Sequence, residues 1–389
     1  MHGQHSPVVV SIAGDPGGAQ ALAPVISLLA KEKKYILLPL AYREACRIMH
    51  EKGLKPQCLE ETTTVSDAEE ILRRESVDLL LTATSNNPAC LEKKFIAAAR
   101  DLHIPSVAVI DFWSNYVQRF GDMQGNLVYL TDRIAVMDEL ACESMIAEGF
   151  PLDRIVVTGQ PAFDALLERS NRSTDEEKTR IRHMLAIPDD SIFVLFVSQP
   201  FTMIYGEDCT KPHHPGFTEK TVLPKLVNAL EQIYQKRKQP ITLVIRPHPR
   251  ERPEDYRKFK SQKIGILVTS EGDAHDIVQA ADLVTGMNTE LLVEACYLGC
   301  LVASLQPGLA VQDPLPTNRL GLSRAVYSIE EIKPILEELL FDEKSKDEIR
   351  RNTKQFRPGG RSASNVVHLV EQMLKERSIK ENKIWKTLR

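Results

Sequence analysis

The run Ile241-Thr242-Leu243-Val244-Ile245 breaks into Arg246-Pro247-His248-Pro249-Arg250-Glu251. Further on, Ala281-Asp282-Leu283-Val284-Thr285-Gly286-Met287-Asn288-Thr289-Glu290 passes into Leu291-Leu292-Val293-Glu294-Ala295. Each stretch reads as strand, turn, helix: a short β-branched run ends in residues that can cap a helix, and apolar residues at helical spacing follow. In an open parallel sheet, ligands collect outside the carboxyl ends of the strands. That rule puts Arg246 and His248 at one strand end and Gly286, Asn288, Thr289 and Glu290 at a nearby one. A fixed guanidinium, a titratable imidazole and a helix N-terminus with orphan N–H groups suit a phosphate. The pattern outlines a diphosphate site.

Working outward, the strand–helix rhythm fills the chain. Val8 to Ile12 is a β-branched run followed by Gly14-Asp15-Pro16-Gly17-Gly18, and Leu22, Val25, Ile26 and Leu29 recur at helical spacing. This is a first βα unit whose small residues, Gly17 and Gly18 among them, let a ligand or another backbone approach closely. It is neither GxGxxG nor a Walker loop, and a plain tight turn is the competing reading. Strands are expected at 36–40, 77–82, 105–110 and 132–136. Helices are expected at 43–52, 91–102 and 139–148, and at 66–75 opened by a Ser-x-x-Glu capping box. Such alternation means a parallel sheet covered on both faces. The strand at 106–110 runs into Asp111-Phe112-Trp113-Ser114-Asn115-Tyr116, a dense aromatic cluster in a chain with 6% aromatics. An acid beside flat apolar rings suits a polyhydroxylated ring, with Asp111 taking a hydroxyl and Trp113 and Tyr116 stacking; a hydrophobic lid is the alternative.

A polar, strandless segment from 169 to 190 marks a domain boundary near Glu168, with a helix at 175–185 capped by Ser173 or Thr174. The second half restarts with the strand 192–197, which ends in Ser198-Gln199-Pro200-Phe201. The loop 202–217 carries Cys209, His213 and His214, too few and too irregular for a metal. A helix at 219–236, a charged helix at 255–263, a strand at 265–269, a short helix at 273–280 and a strand at 301–305 complete the expected set, with a late helix at 361–375.

At 389 residues, two domains are the default, here 1–168 and 169–360, with 361–389 a C-terminal helix and basic tail. The chain is 43% apolar and 26% charged with a net charge of −4, which excludes the basic profile of a nucleic-acid binder. Seven scattered cysteines without a CxxC pair read as reduced thiols of a cytoplasmic protein. Residues 1–7 do not form a secretion signal, and no apolar run approaches the roughly 20 residues that span a bilayer. Peripheral contact with anionic lipid is left to the Lys/Arg-rich tail 375–389, for which a solvated helix end is the competing reading.

Two Rossmann-like, doubly wound parallel-sheet domains facing across a cleft resemble the GT-B fold of nucleotide-sugar enzymes. Val157-Thr158-Gly159-Gln160-Pro161-Ala162-Phe163-Asp164 resembles the segment before the interdomain linker of UDP-N-acetylglucosamine 2-epimerases and lipid A disaccharide synthases. Arg246-Pro247-His248-Pro249 resembles the histidine motif of CDP-glycerol glycerophosphotransferases and capsule polysaccharide transferases. The segment from Ala281 to Gly299 resembles one shared by those families. The resemblance covers most of the chain, and it implies that the helix at 361–375 returns to the first domain. Three departures narrow it. The epimerases' Gly-Thr-Arg-Pro-Glu turn is replaced by Gly14-Asp15-Pro16-Gly17-Gly18, and their His-Arg-Arg-Glu-Asn by Ser198-Gln199-Pro200-Phe201. The Glu-x7-Glu pattern of many retaining transferases is absent, which leaves inversion.

The expected reaction is transfer of a sugar from a nucleoside diphosphate sugar, the co-substrate, to a hydroxyl of a glycan or other acceptor, with no further cofactor and no metal. Arg246 and His248 take the growing charge of the diphosphate, with Gly286, Asn288, Thr289, Glu290 and Gln199 around it; Glu294 meets a ribose or sugar hydroxyl. Asp111 or Asp15 is the base, Asp111 slightly preferred, and Gly17, Gly18, Trp113 and Tyr116 receive the acceptor. A hinge at 165–175 would close the domains and exclude water. A UDP-sugar epimerase or hydrolase, and a non-catalytic nucleotide-sugar-binding or scaffold protein, are the alternatives. The sequence does not fix the oligomeric state.

Overall fold

Short β-branched runs, each too apolar for an exposed strand, form two all-parallel sheets, because only burial on both faces suits such runs. The computed structural model describes residues 6–211, 214–356 and 360–387, with 355–356 and 380–387 described by backbone alone. His213 and the side chains of the tail beyond Ile379 therefore lie outside the described residues.

The first unit comprises residues 1–164 and 358–389. Its strands are β1 (Val8–Ala13), β2 (Ile36–Ala41), β3 (Gln57–Cys58), β4 (Leu79–Thr82), β5 (Ser106–Val109), β6 (Arg133–Val136) and β7 (Ile155–Val157), in the order β3-β2-β1-β4-β5-β6-β7. Helix Pro16–Lys31 follows β1, and Leu22, Val25, Ile26 and Leu29 on its inner face join a core that Val366, Val370 and Met373 complete. The long C-terminal helix Ser362–Thr387 thus packs on the first sheet, tied at its start by the Asp164 carboxylate, which accepts the N–H groups of Ser362 (3.1 Å) and Ala363 (2.8 Å).

The second unit, residues 165–357, holds β8 (Ile192–Val197), β9 (Ile241–Arg246), β10 (Gly265–Val268), β11 (Leu283–Gly286), β12 (Val302–Leu305) and β13 (Arg324–Val326), ordered β10-β9-β8-β11-β12-β13. Strand order therefore reverses beside β1, between β1 and β4, and beside β8, between β8 and β11. These are the points where doubly wound sheets bind ligands.

Several local expectations are corrected. The helix Val65–Arg74 is capped by Thr64, whose hydroxyl accepts the Asp67 N–H in a reciprocal box two residues earlier than the Ser66 reading. Of the two expected caps of the helix Asp175–Met184, Ser173 and Thr174, it is Thr174 that caps, with Glu177, as expected. The charged helix expected at 255–263 shrinks to a single turn, Pro253–Tyr256, since Tyr256 and Phe259 alone are too few apolar residues to hold a longer helix on the core. Strand β13 and the helices Ile329–Phe341 and Glu343–Phe356 are unanticipated additions. Cys46 and Cys58 form a disulfide with Cα atoms 5.9 Å apart, so the reading of all seven cysteines as thiols does not hold. Helix Glu44–Glu51 follows β2 while β3 pairs with it, and this brings together two cysteines that their spacing does not couple. Among the described residues, no helix is long and apolar enough to cross a membrane.

Candidate functional site

In the second unit, Arg246 and Gly286 are both register partners of Val197, so the ends of β9, β8 and β11 are level. Neighbouring strands lie about 4.8 Å apart, which sets the two residues roughly 10 Å from each other. The Arg246 guanidinium donates to the carbonyls of Glu271 (3.0 Å) and Gly272 (2.9 Å). Neutral acceptors orient the group without cancelling its charge. Burial draws its pKa down, and Asp273 opposes that shift. His248 accepts the Arg250 backbone N–H at Nδ1 (3.1 Å), which leaves the ring proton on Nε2. Burial, and then the Arg250 charge, hold its pKa below the usual histidine value. Both effects favour the neutral ring, with Nε2 as the nitrogen that can donate.

Gln199 bridges the switch point: its side-chain oxygen accepts the Asn288 N–H at 2.9 Å. That bond occupies one of the N–H groups expected to face a phosphate. Thr289 caps the helix Glu290–Leu298 with its own hydroxyl. Gly286 serves the sheet itself, since a Cβ there would press on the Val197 carbonyl and side chain at 2.8 Å. Glu294 pairs through Oε2 with His275 Nε2 at 3.1 Å. His275 also lies 3.4 Å from Arg169, which binds Asp273 (2.6 Å) and Asp276 (2.5 Å). The loop 271–273 that holds Arg246 is thereby anchored to the helix Asp164–Arg172.

The sequence reading misses Glu251. Its carboxylate accepts the His248 backbone N–H (2.7 Å) and the Tyr256 hydroxyl (2.6 Å), with Ser198 Oγ at 3.2 Å. Burial raises its pKa, and these hydrogen bonds oppose the rise. The Arg-Glu that follows the two prolines is the signal: a carboxylate three residues after His248 can turn back on it. Beside this cluster lies a cavity of about 360 Å³ lined by Pro200, Met203, Tyr256 and Phe259 among others.

In the first unit, Asp111 ion-pairs with Arg119, which also donates to Thr84 Oγ1 (2.8 Å) and the Ser114 carbonyl (3.0 Å). A Cβ at Gly17 would overlap Asp111 Oδ2, and one at Gly18 would meet the Ala83 Cβ at 2.6 Å. Asp111, Gly17 and Gly18 do come together, with close packing as the reason for the glycines. Asp15 stands at the N-cap of Pro16–Lys31 without capping it, and accepts the Asn87 amide at 2.9 Å. The aromatic reading is corrected. Trp113 and Tyr116 are only 4% and 2% exposed, and Trp113 donates to Asp138 at 2.7 Å while stacking on Phe163. Neither ring offers a face to an acceptor.

Comparison with known proteins follows the same lines. A family model described as CDP-Glycerol:Poly(glycerophosphate) glycerophosphotransferase matches residues 128–286, a span that contains both Arg246-Pro247-His248-Pro249 and β11. No curated protein matches the chain. Among solved structures, it is similar to the Neisseria meningitidis UDP-GlcNAc 2-epimerase bound to UDP-GlcNAc, with a TM-score of 0.67 at 14% identity over 95% of this chain and 100% of that one. The fold is GT-B. A glycosyltransferase from Rickettsia africae ESF-5 gives 0.63 at 12% identity, covering 95% and 99% of the two chains. MurG of Acinetobacter baumannii gives 0.60 at 13%, covering 94% and 100%. Identities this low speak to the fold. The neighbours include a UDP-GlcNAc 2-epimerase and a glycosyltransferase, which do not share one reaction.

Proposed function

We propose that the protein transfers a sugar from a nucleoside diphosphate sugar to an acceptor hydroxyl, with inversion and without an obligatory metal. The observation that carries this is the level grouping of Arg246, His248, Gln199 and the start of helix Glu290–Leu298 at the ends of β9, β8 and β11. One oriented cation, one neutral N–H donor and a helix N-terminus match a diphosphate that gains charge as it leaves. The sugar C–O bond breaks with its electron pair passing to the diphosphate oxygen. The acceptor oxygen bonds to the same carbon from the opposite face, and its proton passes to a carboxylate of the first domain. Asp15 takes that role in preference to Asp111, which is engaged with Arg119.

A second reading has its own support. The glycerophosphotransferase model spans the arginine–histidine motif, which favours glycerol phosphate as the group moved and CMP as the leaving group. One experiment separates these readings. The protein is incubated with UDP-, CMP-, CDP- and GDP-sugars and with CDP-glycerol, with and without cell-extract acceptors, and nucleotide release and sugar configuration are followed. Acceptor-dependent release from a nucleotide sugar supports the proposal. Acceptor-dependent CMP release from CDP-glycerol alone supports the second reading. Free or epimerised sugar without acceptor, or binding without turnover, rejects both.

A further inference from the structure

The proposed chemistry makes no use of the most deeply buried carboxyl group at the switch point of the first domain. Glu92, near the start of helix Leu91–Asp101, is 1% exposed, and its described partners are hydroxyls and a backbone N–H in place of a cation. Its Oε1 accepts the Gly14 N–H (2.9 Å), while Oε2 accepts the hydroxyls of Tyr42 (2.5 Å) and Ser85 (2.8 Å). Tyr42 in turn accepts the Asn87 amide N–H at 2.8 Å and the Leu91 backbone N–H at 3.2 Å. The same Asn87 nitrogen donates to Asp15 Oδ1 at 2.9 Å, and its oxygen accepts the Cys90 N–H at 2.9 Å. The ends of β1, β2 and β4 are thus joined by one chain of bonds running from Glu92 through Tyr42 and Asn87 to Asp15.

Two features set this chain apart from ordinary core packing. A buried carboxyl group without a cation is costly, and an apolar residue would serve the helix better. An aspartate at an N-cap ordinarily accepts the N–H of its own helix, whereas Asp15 makes no such bond and is held by Asn87 instead. The Tyr42 ring lies so close to Gly14 that any side chain there would overlap it, which fixes the turn against the chain of bonds.

We infer that Tyr42, Asn87 and Glu92 are positioning residues, which hold the Asp15 carboxylate off its helix end in the orientation needed to take the acceptor proton. This rests on the reading of Asp15 as that proton acceptor.

The first test needs no substrate. Asn87→Asp keeps the oxygen that accepts from Cys90 but sets a carboxylate against Asp15, so the guanidinium midpoint of unfolding falls. The swap Asp15→Asn/Asn87→Asp rebuilds the amide–carboxylate bond with its partners exchanged and restores most of that midpoint. Simply additive losses overturn the inference. In turnover assays, Asn87→Asp lowers kcat by at least about tenfold, while the donor KM stays within about twofold. Tyr42→Phe, which keeps the ring and removes the link, lowers kcat in the same direction. Unchanged kcat in Asn87→Asp beside a large loss in Asp15→Asn rejects the positioning role and leaves the base in place. Full turnover in Asp15→Asn removes both. If no donor turns over, the transfer reading fails, and the unfolding comparison still decides the Asp15–Asn87 link.

Discussion

Arg246 and Gly286 sit level on either side of β8, each paired in register with Val197. Their common height places the guanidinium and the helix that begins at Glu290 over one switch point. Arg246→Ala should therefore weaken binding of a nucleoside diphosphate by about 10- to 100-fold, the range of a charge-assisted hydrogen-bond pair. Arg246→Lys should recover little of this. A lysine cannot donate to the Glu271 and Gly272 carbonyls and still present a fixed fork. Titration calorimetry with UDP and CDP reads both variants, and wild-type affinity in Arg246→Ala would remove the anion site.

His248 carries a second prediction with a definite sign. Burial and the neighbouring Arg250 charge depress its pKa, so the ring stays neutral from alkaline pH down to its usual value near 6.5 and charges only at lower pH. Turnover should show no His248-dependent fall between pH 8 and 6.5, and a loss below that. The linked stability behaves alike: it is fully present above the unfolded value and declines as pH falls toward the folded one. His248→Ala should cut kcat by about 10²-fold, as removal of one oriented donor does. A pH profile for His248→Ala identical to that of the wild type would exclude the ring from the reaction.

The parts that the sequence made legible are those in which a local pattern marks the end of a strand. The run ending at Arg246, the turn ending at Gly286 and the glycines of the first turn all announce themselves through β-branched runs broken by Pro or Gly. What stayed hidden depends on neighbours far along the chain. Glu92 looks like one more polar residue of an amphipathic helix until Gly14, Tyr42 and Ser85 close around it. Aromatic density misled for the same reason: the run of rings after Asp111 does not reveal that Trp113 turns inward to Asp138. Glu251 lies between these cases, close in sequence to His248 but recognisable only once the chain folds back.

Glu92 also predicts how stability varies with pH. Burial raises its pKa, with Asp15 adding to the rise and the Tyr42 and Ser85 hydroxyls opposing it. A carboxyl group raised in the folded state binds its proton more tightly there than when unfolded. Its contribution is therefore complete below about pH 4.3, the unfolded value, and is lost as pH rises through the folded pKa. Denaturant midpoints of the wild type should fall across that window relative to those of Glu92→Gln, which cannot ionise. Parallel curves for the two proteins would show that Glu92 does not titrate there.

Trp113 gives the sharpest contrast between the aromatic reading and the folded structure. Its indole N–H reaches Asp138 Oδ2 at 2.7 Å, and Asp138 Oδ1 accepts the Ala141 N–H at 2.8 Å to cap the helix Glu139–Ala147. One buried carboxylate thus ties the segment after β5 to the helix after β6. Trp113→Phe keeps the contact with Phe163 but deprives Asp138 of a donor, and should cost about 1–3 kcal/mol of unfolding free energy. Because the ring is buried, the variant should keep the wild-type acceptor KM wherever it remains folded. A ring that stacks on a sugar would give the opposite result, with acceptor KM rising while stability holds. Chemical unfolding and acceptor titration on the same preparation therefore place Trp113 either in the core or in the site.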